Sequence, residues 1–244
     1  MTPELCAAAT KRAVLALGAD FALHPASRER ARGLGLTPWS LYVAGRAGVL
    51  GHDVRPDAVA AALGFVAPEA VRRGWEPTMV IGPRAVAELC LDEWCRWGSA
   101  AFAGVTGLDR LAALAERVVL AADPGAMPLF AAWRAMPVPD DRPGARLAVL
   151  LHLMREHRVG AQLLAVRSAG LRPVEALIAG PEGESGATAY GWEPPYPPRM
   201  PLLRRFVHAD GVADRVVAQS LRDLTPGERA ELVTFLKIAA AVAR

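Results

Sequence analysis

Apolar residues recur along this chain at three- and four-residue spacing, in blocks separated by Gly, Pro and short polar runs. That is the period of helices, not strands. Thr2-Pro3-Glu4 supplies a cap, a proline at the first helical position and an acid in the first turn, and predicts a helix to about Leu17, ended by Gly18. Thr37-Pro38 repeats the signature and predicts a helix to about Leu50. Short helices are expected over 25–32, 56–63 and 68–73, and longer ones over 83–97 and 108–122. In the second half, 127–136 reads as a short helix and 137–143 as a linker. A long helix over 147–164 is punctuated by Gly160, with helix again over 161–169 and 173–179. GPEGESGATAYG, 180–191, reads as a flexible loop, and WEPPYPPRMP, 192–201, as an extended polyproline II segment. Residues 202–221 read as one or two helices, and Thr225-Pro226-Gly227-Glu228 as the capping box of the last. Strand signals are scarce, so the expected fold class is all-α.

The stretch LAVLLHLMREHRVGAQLL, 147–164, is apolar on most sides, so it reads as a buried helix. It nevertheless carries His152, Arg155, Glu156 and His157. The first three share one helix face, and a charged stripe on a core helix needs partners. One reading is an ion-pair network in which Arg155 and Glu156 satisfy each other and the opposite half of the chain. Another is a ligand site. General acid–base work by His152 or His157 is a third, since imidazole titrates near neutrality. His152 and Glu156 also have the spacing of two metal ligands, but no third is evident: His24, His52 and His208 are scattered, and His157 points away from His152. No metal and no cofactor are expected.

Composition narrows the class. The 52% hydrophobic and 22% charged content of the 244 residues supports a sizeable core and argues against disorder. The net charge is only +3, so the pI near 9.0 is weak support for a nucleic-acid partner. Lys11 and Lys237 are the only lysines among 28 basic residues, a bias that resembles a GC-rich bacterial source. Cys6, Cys90 and Cys95 form no disulfide framework, which fits a reducing cytoplasm, and Cys90 and Cys95 read as buried apolar residues. No signal peptide and no transmembrane helix are expected.

The two halves match in order. Gly35, Arg46 and Gly51 precede Gly144, Arg155 and Gly160 at one constant offset, and Gly64 and Glu69 precede Gly170 and Glu175 at another. Gly74-Trp75-Glu76-Pro77 recurs as Gly191-Trp192-Glu193-Pro194, and Thr106, Asp109 and Arg110 answer Thr225, Glu228 and Arg229. We therefore expect a tandem duplication, with residues 1–122 and 123–244 as two helical repeats packed about a pseudo-two-fold axis. Trp75 and Trp192 would anchor the two cores.

Residues 58–73 fit a helix-turn-helix around Gly64, with Val59, Leu63 and Phe65 packing, and 163–179 repeats the pattern around Gly170. Reading DNA requires basic or amide side chains on the exposed face, which here means Arg72 and Arg73 in the first unit and Arg172 in the second. Dinucleotide, P-loop, nucleophile-elbow and zincin motifs are absent from the sequence.

MTPEL, Gly35-Leu36 with Tyr42, Arg46 and Gly51, and above all LLHLMREHRVGAQLLAVRSAGLRPVEALIAG resemble a set of actinobacterial proteins of the helix-turn-helix, winged-helix-like type with an LLREHRGDGH-type stretch. The similarity covers about 1–75 and 128–192. It implies a helical fold and a DNA-binding relationship. Arg46, His152, Arg155, Glu156 and His157 match, while Val159-Gly160-Ala161-Gln162 stands where those proteins have Gly-Asp-Gly-His.

Two functions compete. One is a regulatory protein of winged-helix-like descent, a ligand-responsive DNA binder. The other is a small-molecule-binding protein or enzyme of specialised metabolism, with Arg46, His152, Arg155, Glu156 and His157 lining a pocket between the halves. A scaffold that offers 192–201 to a partner is a third reading. The partners admitted are a small acidic ligand, DNA and a second copy of the chain, with no membrane and a cytoplasmic location.

Overall fold

The computed structural model describes residues 1–19 and 25–243; His24 lies outside them. Thirteen α-helices are described, with no strand among the described residues, so the protein is all-α. In chain order they are α1 (Pro3–Leu17), α2 (Pro25–Gly33), α3 (Pro38–Ala47), α4 (Pro56–Leu63), α5 (Pro68–Trp75), α6 (Pro83–Ala101), α7 (Leu108–Ala121), α8 (Pro128–Arg134), α9 (Pro143–Ser168), α10 (Pro173–Ala179), α11 (Gly183–Ala189), α12 (Leu203–Ser220) and α13 (Pro226–Val242). Ten of them open on proline, whose fixed φ suits the first helical position and whose missing N–H costs nothing there. Thr2, Thr37 and Thr225 cap α1, α3 and α13, and Glu228 Oε2 accepts from Thr225 N at 2.8 Å to complete a capping box.

The long helix α9 is the axis of the molecule. Every residue from Leu147 to Arg158 is buried, so no side of this segment faces solvent. It packs on α6, α7 and α8 from the first part of the chain and on α10 and α12 after it, while α1 lies against α9, α12 and α13. The main core runs from Cys6 to Ala239, and a smaller core joins Val166, Leu171, Ile178, Leu202 and Ala209. Cys90 and Cys95 are buried, Trp75 is buried at 1% exposure, and Trp192 is part-buried with its indole N–H donating to Phe65 O at 2.8 Å. No described helix is long and apolar enough to cross a membrane.

Two local expectations are corrected. Residues 180–191 are not a flexible loop, because α11 occupies Gly183–Ala189 with Gly186 and Ala187 buried. Ser185 and Thr188 donate back to Glu182 O and Glu184 O, so polar residues that usually favour turns close helical bonds instead. Gly160 does not interrupt α9: one glycine costs about 1 kcal/mol of helix propensity, less than the burial of its neighbours supplies.

The Gly74-Trp75 and Gly191-Trp192 pairs share sequence but not conformation. Gly74 lies inside α5, whereas Gly191 turns the chain at φ +78°. The hinges agree better. Gly64, between α4 and α5, has φ +68°, and Gly170, between α9 and α10, has φ +70°. Only glycine takes such angles freely, and each hinge is followed by a helix that opens on proline, at Pro68 and Pro173.

The α6–α9 crossing depends on two facing glycines. A Cβ on Gly98 would sit 2.4 Å from Gly144 O, and one on Gly144 would sit 2.5 Å from Gly98 O. Gly98→Ala should therefore destabilise the protein by about 1–3 kcal/mol through overpacking, even though alanine favours a helix by about 1 kcal/mol. A urea unfolding midpoint that stays put or rises would contradict this close approach.

Candidate functional site

The polar stripe of α9 meets α3. Arg46, in the last turn of α3, is buried at 6% exposure and donates to Glu156 in bidentate fashion: Nε to Oε1 at 2.8 Å and Nη2 to Oε2 at 2.8 Å. Its remaining Nη1 donates to Tyr42 Oη at 2.9 Å. Arg155 Nη1 donates to Glu156 Oε1 at 2.6 Å. Trp133 Nε1, from α8, donates to Arg46 O at 2.8 Å. Two arginines, from α3 and α9, thus converge on one carboxylate and engage both of its oxygens, while α8 is tied to Arg46 through its backbone.

Burial opposes the ionisation of Glu156, but Arg46 and Arg155 outweigh it and hold its carboxyl at about 2. For Arg46, too, burial opposes the charge, and Glu156 and Tyr42 more than restore it, so its pKa is raised. His152 lies against Trp94, with ring centroids 3.7 Å apart, and edge-on to Trp133. Burial pushes its pKa down to about 3; Glu156 pulls the other way, Arg155 and Arg46 add to the fall, and neither ring nitrogen has a hydrogen-bond partner among the described residues. Tyr190, which follows α11, has its pKa raised to about 12, first by the neighbouring Tyr42 and then by burial.

Arg46, His152, Arg155 and Glu156 therefore come together. His157 does not join them. It packs against Phe130 on another side of α9, and burial, with Arg158 and Arg134 adding to it, lowers its pKa to about 4. With His152 near 3 and His157 near 4, neither imidazole changes charge in the neutral range, so neither suits general acid–base work there. Beside the Arg46 cluster lies a space of about 20 Å³, bordered by Tyr42, Trp94 and Gly18, with room for a water-sized guest.

A second group on the same helix gave no signal in the sequence. Arg158, buried at 3% exposure, pairs with Asp214 of α12 at 2.5 Å. Arg158 belongs to the REHR run, but nothing in the spacing points to an acid on α12. Arg158 borders a cavity of about 460 Å³ between α1, α9, α10, α11 and α12. The three DNA-contact candidates are at the surface. Arg72 is part-exposed and paired with Glu69 and, at 3.6 Å, with Asp57; Arg73 is exposed; Arg172 is exposed and donates to Glu175 at 3.2 Å.

A helical molecule with two glycine-hinged helix pairs is the class that fold and sites define. A model of a helix-turn-helix family matches residues 7–198, and the chain belongs to that family. No curated protein and no solved structure matches it.

The neutral histidines set the pH dependence of stability. Below about 6.5 the unfolded chain protonates both, while the fold keeps His157 neutral down to about 4 and His152 down to about 3. The unfolded state then binds more protons, so stability is complete above that range and is lost as pH falls. Glu156 adds loss of the same sign between 4.5 and about 2. The urea midpoint should fall between about pH 6.5 and 4.5 with a slope near two protons, or ~1.4 kcal/mol per pH unit for each. His157→Phe should remove one proton from that slope. A flat profile in the wild-type chain would count against the burial of both rings.

Proposed function

We propose that the protein is a DNA-binding regulator of winged-helix-like descent, a relative of the actinobacterial proteins that carry the REHR run, and that its second helix pair is the face that meets the phosphate backbone. The distribution of arginines carries this reading. Around the second pair, Arg167 and Arg172 are exposed on the pair itself. Exposed Arg205 donates to Gly170 O at 3.1 Å, at the hinge, and exposed Arg199 to Gly180 O at 3.1 Å, at the end of α10. From Leu163 to Gly180 there is one carboxylate, Glu175, and it accepts from Arg172. The first pair instead mixes Arg72 and Arg73 with Asp57, Glu69 and Glu76 and offers little net attraction for a polyanion. The matched hinges at Gly64 and Gly170 support a tandem origin of the halves 1–122 and 123–244, with the pseudo-two-fold arrangement as part of the same reading.

The measurement is fluorescence anisotropy with a labelled duplex from the region upstream of the gene, against a shuffled duplex, from about 50 to 200 mM salt. We expect tighter binding to the upstream duplex and affinity that falls with salt. Arg172→Ala/Arg205→Ala should weaken both duplexes about alike and lower the salt slope by about two. Equal affinity for both duplexes at about 150 mM salt, or a loss that follows Arg72→Ala/Arg73→Ala instead, would overturn the reading.

A second reading keeps Arg46, His152, Arg155 and Glu156 as a site for a small acidic ligand, with His157 behind them on the same helix. It is supported by charge: among the described residues, two buried guanidinium groups converge on one carboxylate beside a space of about 20 Å³. A chloride-sized anion would answer the remaining charge. Thermal stabilisation by chloride at constant ionic strength, absent in Arg155→Met, is expected; indifference to the anion would remove this reading.

A further inference from the structure

We propose that the cavity of about 460 Å³ between the two helix pairs is a binding site for a neutral, hydroxyl-bearing ring compound. The volume lies within the range of small-molecule sites, which are mostly apolar with a few placed polar groups. Phe65, from the hinge of the first pair, Leu177, from the second helix of the other, and Tyr190 and Phe206 form apolar and aromatic walls. Flat rings stack or meet edge-on against such walls.

Charge selects against an anion. Both cations of the lining already have acids: Lys11 is paired with Asp210 at the part-exposed rim, and Arg158 with Asp214. Glu182, exposed on the same rim, adds a carboxylate, so an anionic guest would meet repulsion as well as attraction. Hydrogen bonding then selects the head group. Gln162 lines the cavity, and its buried Oε1 accepts from no donor. Arg158 Nε, Nη1 and Nη2 are buried and none makes a hydrogen bond, the contact with Asp214 being an ion pair only. Buried polar atoms left in this state are costly. A single hydroxyl both donates and accepts, so one such group between Gln162 and Arg158 would satisfy an acceptor and a donor together. A carbonyl would serve Arg158 alone, and a hydrocarbon neither.

This site lies against both helix pairs, so its occupant would bear on the hinge of one and the second helix of the other. Its test reads ligand binding directly and does not depend on DNA binding. The probes are 2-naphthol, naphthalene and 2-naphthoate, titrated into the full chain and followed by fluorescence. We expect saturable one-to-one binding of 2-naphthol, at least about tenfold tighter than either other probe, the effect of one or two hydrogen bonds. Gln162→Leu removes one of the two hydrogen bonds and should narrow the preference for 2-naphthol over naphthalene several-fold. Leu177 is part-exposed on the cavity wall, so Leu177→Trp fills the space without entering the core, and should abolish binding of both while leaving the thermal midpoint near that of the wild type. Equal affinities for the three probes, a preference for 2-naphthoate, no binding at all, or binding that survives Leu177→Trp would each overturn the proposal.

Discussion

The bidentate contact between Arg46 and Glu156 is the constraint on which the arrangement of this molecule turns. Glu156 sits within twelve consecutive buried residues of α9, where an isolated carboxylate could not remain ionised. Its partner comes from α3, far away in sequence. A buried pair of this kind adds little net stability, because the two desolvation costs nearly cancel the attraction, yet losing one partner costs about 3–5 kcal/mol. Its effect is therefore on placement. Alternative packings of α3 on α9 would strand a charge, so only one turn of α3 can face the REHR turn of α9. Tyr42 and Trp133, bonded to the same arginine, extend that selection to α3's own preceding turn and to α8.

Much of this was legible in the chain. Proline at the first helical position marks most helix starts, and the apolar period gives the helices their extent, because both signals are local. The need for a partner at Glu156 was also legible, since a charge in an apolar run demands one. The identity of Arg46 rested on an internal sequence match, and its role was not visible in its own helix. What could not be read was non-local or context-driven. Asp214 answers Arg158 across a packing contact that leaves no periodic trace. Residues 183–189 are rich in Gly, Ser and Thr, and they become helical because Ala187 has a core to enter. The cavity has no sequence signature at all, since its walls come from α1, the first hinge, α9, α10, α11 and α12.

Tyr190 connects these parts. It borders the cavity and acts electrostatically on Tyr42, which accepts from Arg46. The backbone carbonyl of Tyr190 accepts from Ala67 N at 2.9 Å, at the start of the second helix of the first pair. One residue thus lines the cavity, feels the buried ion cluster and bonds to a hinge-flanking helix. The cluster itself is rigid in charge, with Glu156 and His152 held to one state across the neutral range. It can fix a position but cannot switch by titration there. Any ligand-linked rearrangement would have to fall on elements that no buried charge holds in place. The short helices α10 and α11, packed on the smaller core and facing the cavity, are in that position. An occupant that repacks them would bear on α10 of the arginine-bordered second pair, while α5 of the first pair is held by Tyr190 O, which accepts from Ala67 N, and by the close approach of Gly191 to Ala70.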